Sequence, residues 1–568
     1  MTRTVADLVA ACLAAQGVRR VYGLCGGHIQ PLWDAVARAG TQIVDVRHEA
    51  AAVYLAQAEA ELTGRLGVVL VTAGPGLTNA VTGVANAAAS KAPVLVLSGR
   101  APRPQAGRGA MQDIPQAELV RPLCRRAVAV AGAGDVLGEV ELAVRSALGG
   151  SDLPGPVYLD LPADLWDEVA PCPAPEPGNR PLWRVEPRPP PAQVIEEARA
   201  LIERSSRPVV VCGRVAHDAA DQLVAFLDRS GAVLLDTAES RGTVRASHSA
   251  RVPAMRSRVM RDADLVITVG RRLDFQLAYG SPAVFSRGAS FLRIGRSADE
   301  TADNRRGDVE VHADPAPALA ALTDARAAPA DPDRSWLADL RAENARRVEQ
   351  LARQLADLPV GGDGRMHPYR LLACVNEHVR DAAVVVADGG DILSFARVAL
   401  HERRFLDCGP FGCLGVGVPF AIAAALNNPG RFVAAVIGDG AFGFTAMELA
   451  TAVRQRSDVL FVVANNEAWN IERQDQLQRY DGRLVGVDLP GCRYDLVARG
   501  LGAYAERVER ADDLDAALRR ARARTPALLD VLVARDAVSP DFKNGLAGVP
   551  ARQALLPWHS AEMERDAD

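Results

Sequence analysis

Short aliphatic and β-branched runs recur along this chain, most of them followed by turn residues or a helix-period segment, and that alternation restricts the fold more than any other feature. It indicates doubly wound α/β domains, in which helices cover both faces of a largely parallel sheet. The runs fall into blocks. The first contains RRVYGL, IVDVRH, LGVVLVTAG and APVLVLSG, and the second RPVVVCG, GAVLLDT, ADLVITVG and ASFLRIG. The third contains AAVVVADGG, RFVAAVIGDG and VLFVVANN. Two composition breaks separate them. PCPAPEPGNRPLWRVEPRPPPA (171–192) is too rich in proline to sustain a helix or a central strand, and DARAAPADPDRSW (324–336) is a weaker break. The expected architecture is α/β, with three doubly wound parallel-sheet domains over 1–170, 190–325 and 355–535, then a tail over 536–568. Ligands of such domains sit at the strand ends.

At 568 residues the chain is too long for one core, and its 49% hydrophobic and 24% charged content is that of an ordinary soluble protein. A net charge of −5 without charge blocks argues against a nucleic-acid or anionic-membrane surface. The cations are nearly all arginine, with lysine only at Lys91 and Lys543. None of the 9 cysteines forms C-x-x-C or pairs with histidine at zinc spacing, so reduced, buried thiols are expected. The first 17 residues read as an amphipathic helix with Asp7 inside it, not as a signal peptide, and no apolar run is long enough to span a membrane. A cytoplasmic protein is expected.

RFVAAVIGDGAFGFTAMELA (431–450) holds a G-x-G-x-x-G between a strand and a helix, the dinucleotide fingerprint. It also places a carboxylate, Asp439, where a pyrophosphate ought to lie. In a dinucleotide site the acidic residue belongs some 20 positions further on. The next strand instead ends in Asn465-Asn466. A carboxylate beside a diphosphate is tolerable with a divalent cation between them, and Asp439, an asparagine oxygen and backbone carbonyls are hard ligands of the kind Mg²⁺ takes together with phosphates. Gly438 and Gly440 let the backbone approach, and the following helix N-terminus favours the anion.

This G-D-G…N-N constellation resembles the thiamine-diphosphate motif. The resemblance implies Mg²⁺ held by Asp439, the Asn466 side chain and the Ala468 carbonyl, beside Gly438, Gly440 and Ala441. A thiamine enzyme also needs a buried carboxylic acid at the aminopyrimidine ring, its pKa raised by desolvation. Glu49, opening a helix after the strand that ends at His48, is the residue for that role. Together with GLCGGHIQPLWDAV (23–36), TAGPGLTNAVTGVANA (72–87) and MQDIPQ (111–116), it resembles the pyrimidine-binding domain of the acetolactate synthase superfamily. The match runs through nearly the whole chain, as pyrimidine, central and diphosphate domains. It further implies that CGPFGCLGVGVP (408–419) grips the aminopyrimidine through the Gly412 carbonyl and Leu414, and that ADGGDILS (387–394) supplies Gly389, Gly390 and Asp391 to the diphosphate. It also implies a homodimer at minimum, and commonly a tetramer.

Departures narrow the branch. Pyruvate-type decarboxylases carry an adjacent histidine pair where this chain reads MQDIPQ, with Gln112. The segment EAWNIERQDQ after the asparagines differs from that of acetolactate synthase, and GRRLDFQLAYG (270–280) lacks that enzyme's usual FDDR and is similar to the corresponding segment of 2-hydroxyacyl-CoA lyases. That resemblance implies cleavage of a short-chain 2-hydroxyacyl-CoA to formyl-CoA and a ketone or aldehyde, reversibly. Glu472, His28, Gln112 and Glu49 are then the catalytic candidates, with Glu467 a rival to Glu472 that is expected to point outward. An acetolactate synthase-like enzyme, a 2-oxo acid or oxalyl-CoA decarboxylase, and a non-catalytic ligand-binding relative remain alternatives. CoA phosphates need cations, for which Arg271, Arg272, Arg293 and Arg296 are candidates; the central block might instead take ADP or FAD. The tail, with Phe542, Leu546, Leu555, Leu556 and Trp558, is expected to dock on the body as a lid or strap.

Overall fold

The computed structural model describes residues 3–543, apart from positions 151, 177, 179, 180, 283, 357, 359, 362, 401–403 and 490. Within them lie three sheets whose neighbouring strands run parallel. The first is ordered Gln42–Asp45, Arg20–Gly23, Gly67–Val71, Val94–Arg100, Val157–Pro162, Arg126–Ala129. The third repeats that order with Phe405–Leu406, Val384–Asp388, Val433–Gly438, Val459–Asn465, Ala527–Leu532, Tyr504–Val508. The middle sheet runs Val309–His312, Ser290–Gly295, Leu265–Val269, Pro208–Cys212, Val233–Asp236. In the two outer sheets the order reverses beside the opening strand, which leaves a crevice at the carboxyl ends.

Every run read as a strand from sequence contains one, though the strand before Glu49 ends at Asp45, and His48 instead caps the helix that Glu49 opens. Two interior strands were not legible, Val157–Pro162 and Ala527–Leu532, which hold the same place in their sheets. Each carries an aspartate within its apolar run, Asp160 and Asp530. A buried carboxylate needs partners. Asp160 has Arg100 at 3.0 Å and the Tyr158 hydroxyl at 3.1 Å. Asp530 receives Asn465 at 2.9 Å and Arg507 at 3.0 Å.

The helix Glu49–Thr63 is buried on every side from Glu49 to Leu62. It lies between its neighbour Pro75–Ala89 and the apolar helix Gly417–Asn427 of the third domain. Its many alanines allow close approach, and its polar residues are paired inside. Gln57 donates to Glu61 at 2.8 Å and accepts from Asn86 at 2.9 Å, while the Tyr22 hydroxyl donates to Glu59 at 2.5 Å. One hydrophobic core therefore runs from the first sheet into the third domain.

Among the described residues the proline-rich connector has no regular element between Pro162 and Ala192, and Trp183 anchors it through two hydrogen bonds with Gln16. The second break is shorter than expected, because the helix Arg334–Ala356 follows it, with Trp336 and Leu340 buried against the central domain. The cysteines are free, yet only Cys12, Cys212 and Cys408 are buried, and Cys25 and Cys492 are exposed. Among the described residues no helix is long and apolar enough to cross a membrane.

Candidate active site

The strand Val433–Gly438 delivers Asp439 to the first position of a helix capped by Gly438. Gly389, at φ +108°, lies against Gly438, so that a Cβ there would stand 3.2 Å from the Gly438 nitrogen. Gly440 is closed in from the other side, since a Cβ would meet the Trp469 ring at 2.4 Å. A Cβ on Gly390 would touch Ile471 at 2.8 Å. These glycines bring two strand-end loops and the segment after Asn466 together.

The side chains gathered there are oxygen-rich and short of donors. Asn466 and Asn470 donate to Asp391 Oδ2 at 3.3 and 3.0 Å, and Asn470 also reaches the Ala537 carbonyl at 3.2 Å. Asp439 Oδ2, Asp391 Oδ1 and Asn470 Oδ1 are nonetheless buried without a hydrogen-bond partner. Desolvation pushes the Asp439 carboxyl up to about 7 and that of Asp391 up to about 6. Buried oxygens lacking protons or donors are what a hard divalent cation satisfies, so the residues present fit Mg²⁺. The Ala468 amide bonds to Asn466 Oδ1 at 3.1 Å. The ladder around it is made by its neighbours, Trp469 to Val487 and Leu489 to Glu467, which leaves the Ala468 carbonyl outside the ladder. Ala441 is buried one position after Gly440.

The aminopyrimidine-side candidates lie at the carboxyl edge of the first sheet. Glu49 is 6% exposed and accepts from Asn79 at 3.0 Å. His28 is half-buried on a loop pressed against Gly99, where a Cβ would meet the His28 carbonyl at 2.0 Å. Gln112 is half-buried at φ +62°, its backbone against Gly74. The buried glutamine of that segment is another one: Gln116 accepts from the Gly74 amide at 2.6 Å and donates to the Tyr158 hydroxyl at 2.9 Å. Its place in the same MQDIPQ run was the available signal.

In the third domain Gly412 is exposed at φ +71° and Leu414 is half-buried. Cys413 between them lies 3.0 Å from the Tyr54 hydroxyl, which ties this loop to the Glu49 helix of the same chain. Glu472 is exposed in the first turn of the helix Asn470–Arg479. Glu467 is held outside the cradle, as expected, by Arg365 at 2.7 Å and Arg535 at 3.1 Å.

A second cavity, of about 480 Å³, opens between the first and central domains. Ion pairs of opposite polarity cross it, Glu61–Arg214 at 2.5 Å and Lys91–Glu300 at 2.6 Å. Arg271, Arg272 and Arg296 line it. Arg293 does not, being fully buried and bound to Thr268 at 2.8 Å and Asp303 at 2.9 Å, which removes it from the phosphate-binding candidates. The tail's first residues pack beside the cradle. Ser539 is buried, the Asp541 amide bonds to Ser394 at 2.8 Å, and Phe542 is half-buried. Leu546, Leu555, Leu556 and Trp558 lie outside the described residues.

Models of the thiamine pyrophosphate enzyme match in three places: the N-terminal TPP binding domain over residues 3–119, the central domain over 195–322 and the C-terminal TPP binding domain over 388–531. A Caenorhabditis elegans protein named 2-hydroxyacyl-CoA lyase 2 is 32% identical over 96% of this chain and 91% of its own length. The Homo sapiens protein of that name is 33% identical over 95% and 91%. A probable acetolactate synthase of Mycobacterium bovis is 32% identical over 94% and 97%. With the domain order and the two like sheets, these matches show that the chain belongs to the thiamine pyrophosphate enzyme family, in the superfamily of acetolactate synthase.

Proposed function

We propose that this protein is a thiamine-diphosphate-dependent carbon–carbon lyase that cleaves a short-chain 2-hydroxyacyl-CoA to formyl-CoA and a ketone or aldehyde, reversibly. The observation that carries this reading is similarity along nearly the whole chain to proteins named 2-hydroxyacyl-CoA lyase 2. When bound, thiamine diphosphate supplies a carbon nucleophile that accepts the electrons of the breaking bond. The rest falls to the chain. Asp439, Asn466 and the Ala468 carbonyl would hold Mg²⁺, with Gly389, Gly390, Asp391, Gly438, Gly440 and Ala441 along the diphosphate. Glu49 would hold a proton at the aminopyrimidine, against the Gly412 carbonyl and Leu414. Glu472 would take the proton of the substrate hydroxyl, with His28 and Gln112 flanking it.

The CoA phosphates, or an ADP, would occupy the cavity lined by Arg214, Arg271, Arg272 and Lys91; its volume suits a nucleotide, within the roughly 300–1,000 Å³ usual for ligand sites. A homodimer is the minimal active unit in this reading. It is supported by apolar side chains left exposed on both cofactor-binding domains: Phe411, Phe444 and Met447 on one, Met111 and Ile114 on the other. A solution mass of one chain would remove it.

The test is incubation of the holoprotein with formyl-CoA and a panel of ketones and aldehydes, followed by mass analysis for new acyl-CoA species. The acetolactate synthase relative supports a second reading, for which pyruvate is the discriminating substrate. Turnover of pyruvate with no acyl-CoA product would replace the lyase by a synthase or decarboxylase.

A further inference from the structure

The helix Pro368–His378 enters the strand Val384–Asp388 at its amino end, whereas Gly389–Asp391 follow that strand's carboxyl end. His378 therefore sits at the edge of the third sheet opposite the cofactor cradle. Cys374 is one turn earlier on the same face, at i and i+4, a cysteine–histidine spacing that corrects the expectation of none suited to zinc. The helix Ala511–Arg522 packs alongside and contributes Asp515. The His378 Nε2 and Asp515 Oδ1 atoms are 2.7 Å apart, and the ligand atoms of Cys374, His378 and Asp515 all lie within 4.8 Å of one another.

We propose that Cys374, His378 and Asp515 form a structural binding site for a borderline-soft divalent cation of the Zn²⁺ class, bridging the two helices. One thiolate, one imidazole and one carboxylate are a ligand set for Zn²⁺ and not for the Mg²⁺ of the cradle, which takes hard oxygens. Bonds of about 2.0–2.3 Å in tetrahedral array place ligand atoms roughly 3.3–3.8 Å apart, so the His378–Asp515 contact of 2.7 Å opens by about 1 Å or less to admit the ion. Arg519 pairs with Asp515 Oδ2, which leaves Oδ1 turned to the site. That second contact orients the carboxylate as outer partners of metal ligands do. Both ligand helices belong to the third domain, and Asp515 is exposed, so water can reach the site.

The experiment uses the full chain loaded with thiamine diphosphate and excess Mg²⁺, stripped of transition metals and kept reduced. Zn²⁺ is titrated calorimetrically into wild type, Cys374→Ser and His378→Ala. Co²⁺ is then substituted and thiolate-to-cobalt charge transfer is read by absorption. One Zn²⁺ bound by wild type, weakened at least ~10-fold in each variant, with the charge-transfer band missing from Cys374→Ser, is the expected result. Equal titrations in all three proteins, or a band that survives Cys374→Ser, would overturn the assignment. Circular dichroism and lyase turnover confirm that the variants are folded; neither residue touches the cradle.

Discussion

Glu448 accepts the backbone N–H groups of Arg47 and His48, at 2.9 and 3.1 Å, so the segment after the G-D-G loop holds in place the turn that presents Glu49. Glu448 is 1% exposed, and its other oxygen accepts from Thr451 at 2.7 Å. Glu49→Gln should keep the fold and bind cofactor, but slow hydrogen exchange at the cofactor C2 by roughly 10²–10⁴-fold, because an amide relays no proton. Glu448→Ala should slow the same exchange by a smaller factor, through lost positioning, and Glu448→Gln should restore part of it. Wild-type C2 exchange in Glu49→Gln would take Glu49 out of the role.

Gly440→Ala should weaken cofactor binding at least ~10-fold, since the new methyl must displace the Trp469 ring from 2.4 Å. Trp469→Leu in the same chain should recover part of the affinity. Asp439→Ala should lose Mg²⁺-dependent binding altogether, which isothermal titration of the diphosphate cofactor measures directly. Unweakened affinity in Asp439→Ala removes the metal assignment.

Glu472→Ala and Glu472→Gln should lower turnover at least ~10-fold at saturating substrate while leaving cofactor affinity almost unchanged, an ordinary acid–base magnitude. Water replaces the missing group more readily in the smaller variant, so Ala should be the less impaired of the two. Turnover equal to wild type in both variants assigns the proton to another path.

His217 lines the cavity between the first and central domains, and its pKa is pushed down from 6.5 to about 3 by burial, then by Arg404 and Arg214. A depressed folded pKa gives stability that is complete above 6.5 and is lost as pH falls toward 3. Between pH 7 and pH 5.5 the wild type should lose about 1 kcal/mol through this ring, less than the full ~1.4 per pH unit because the unfolded imidazole is only partly protonated near its ordinary pKa of 6.5. His217→Asn should flatten that segment of the curve, as read by urea unfolding at the two pH values. An unchanged slope shows that another group carries the dependence.

Deleting residues 537–568 should raise the rate with longer acyl-CoAs relative to short ones, or lower turnover through lost closure. Competition between two chain lengths in one reaction reads this ratio. A less stable protein with an unchanged ratio makes the tail a strap.

The sequence alone determined the class of fold and most of its strands, and it singled out the residues that the structure gathers in the cradle. Apolar periodicity and a carboxylate inside a glycine loop are local signals, visible without knowing what lies across the chain. It also singled out Glu49 as a candidate, because a strand–turn–helix junction is local too. Tertiary structure decided what depends on partners distant in sequence. Val157–Pro162 and Ala527–Leu532 are interior strands because Arg100, Asn465 and Arg507 satisfy aspartates that a local reading counts against burial. The Glu49–Thr63 helix is buried all round because Gly417–Asn427, more than three hundred residues away, covers its second face. Arg293 and Arg272 look alike in sequence, but Asp303 and Thr268 lock one inside while the other lines a cavity. Burial and charge pairing are properties of the assembled neighbourhood, and the sequence names the residues without naming their neighbours.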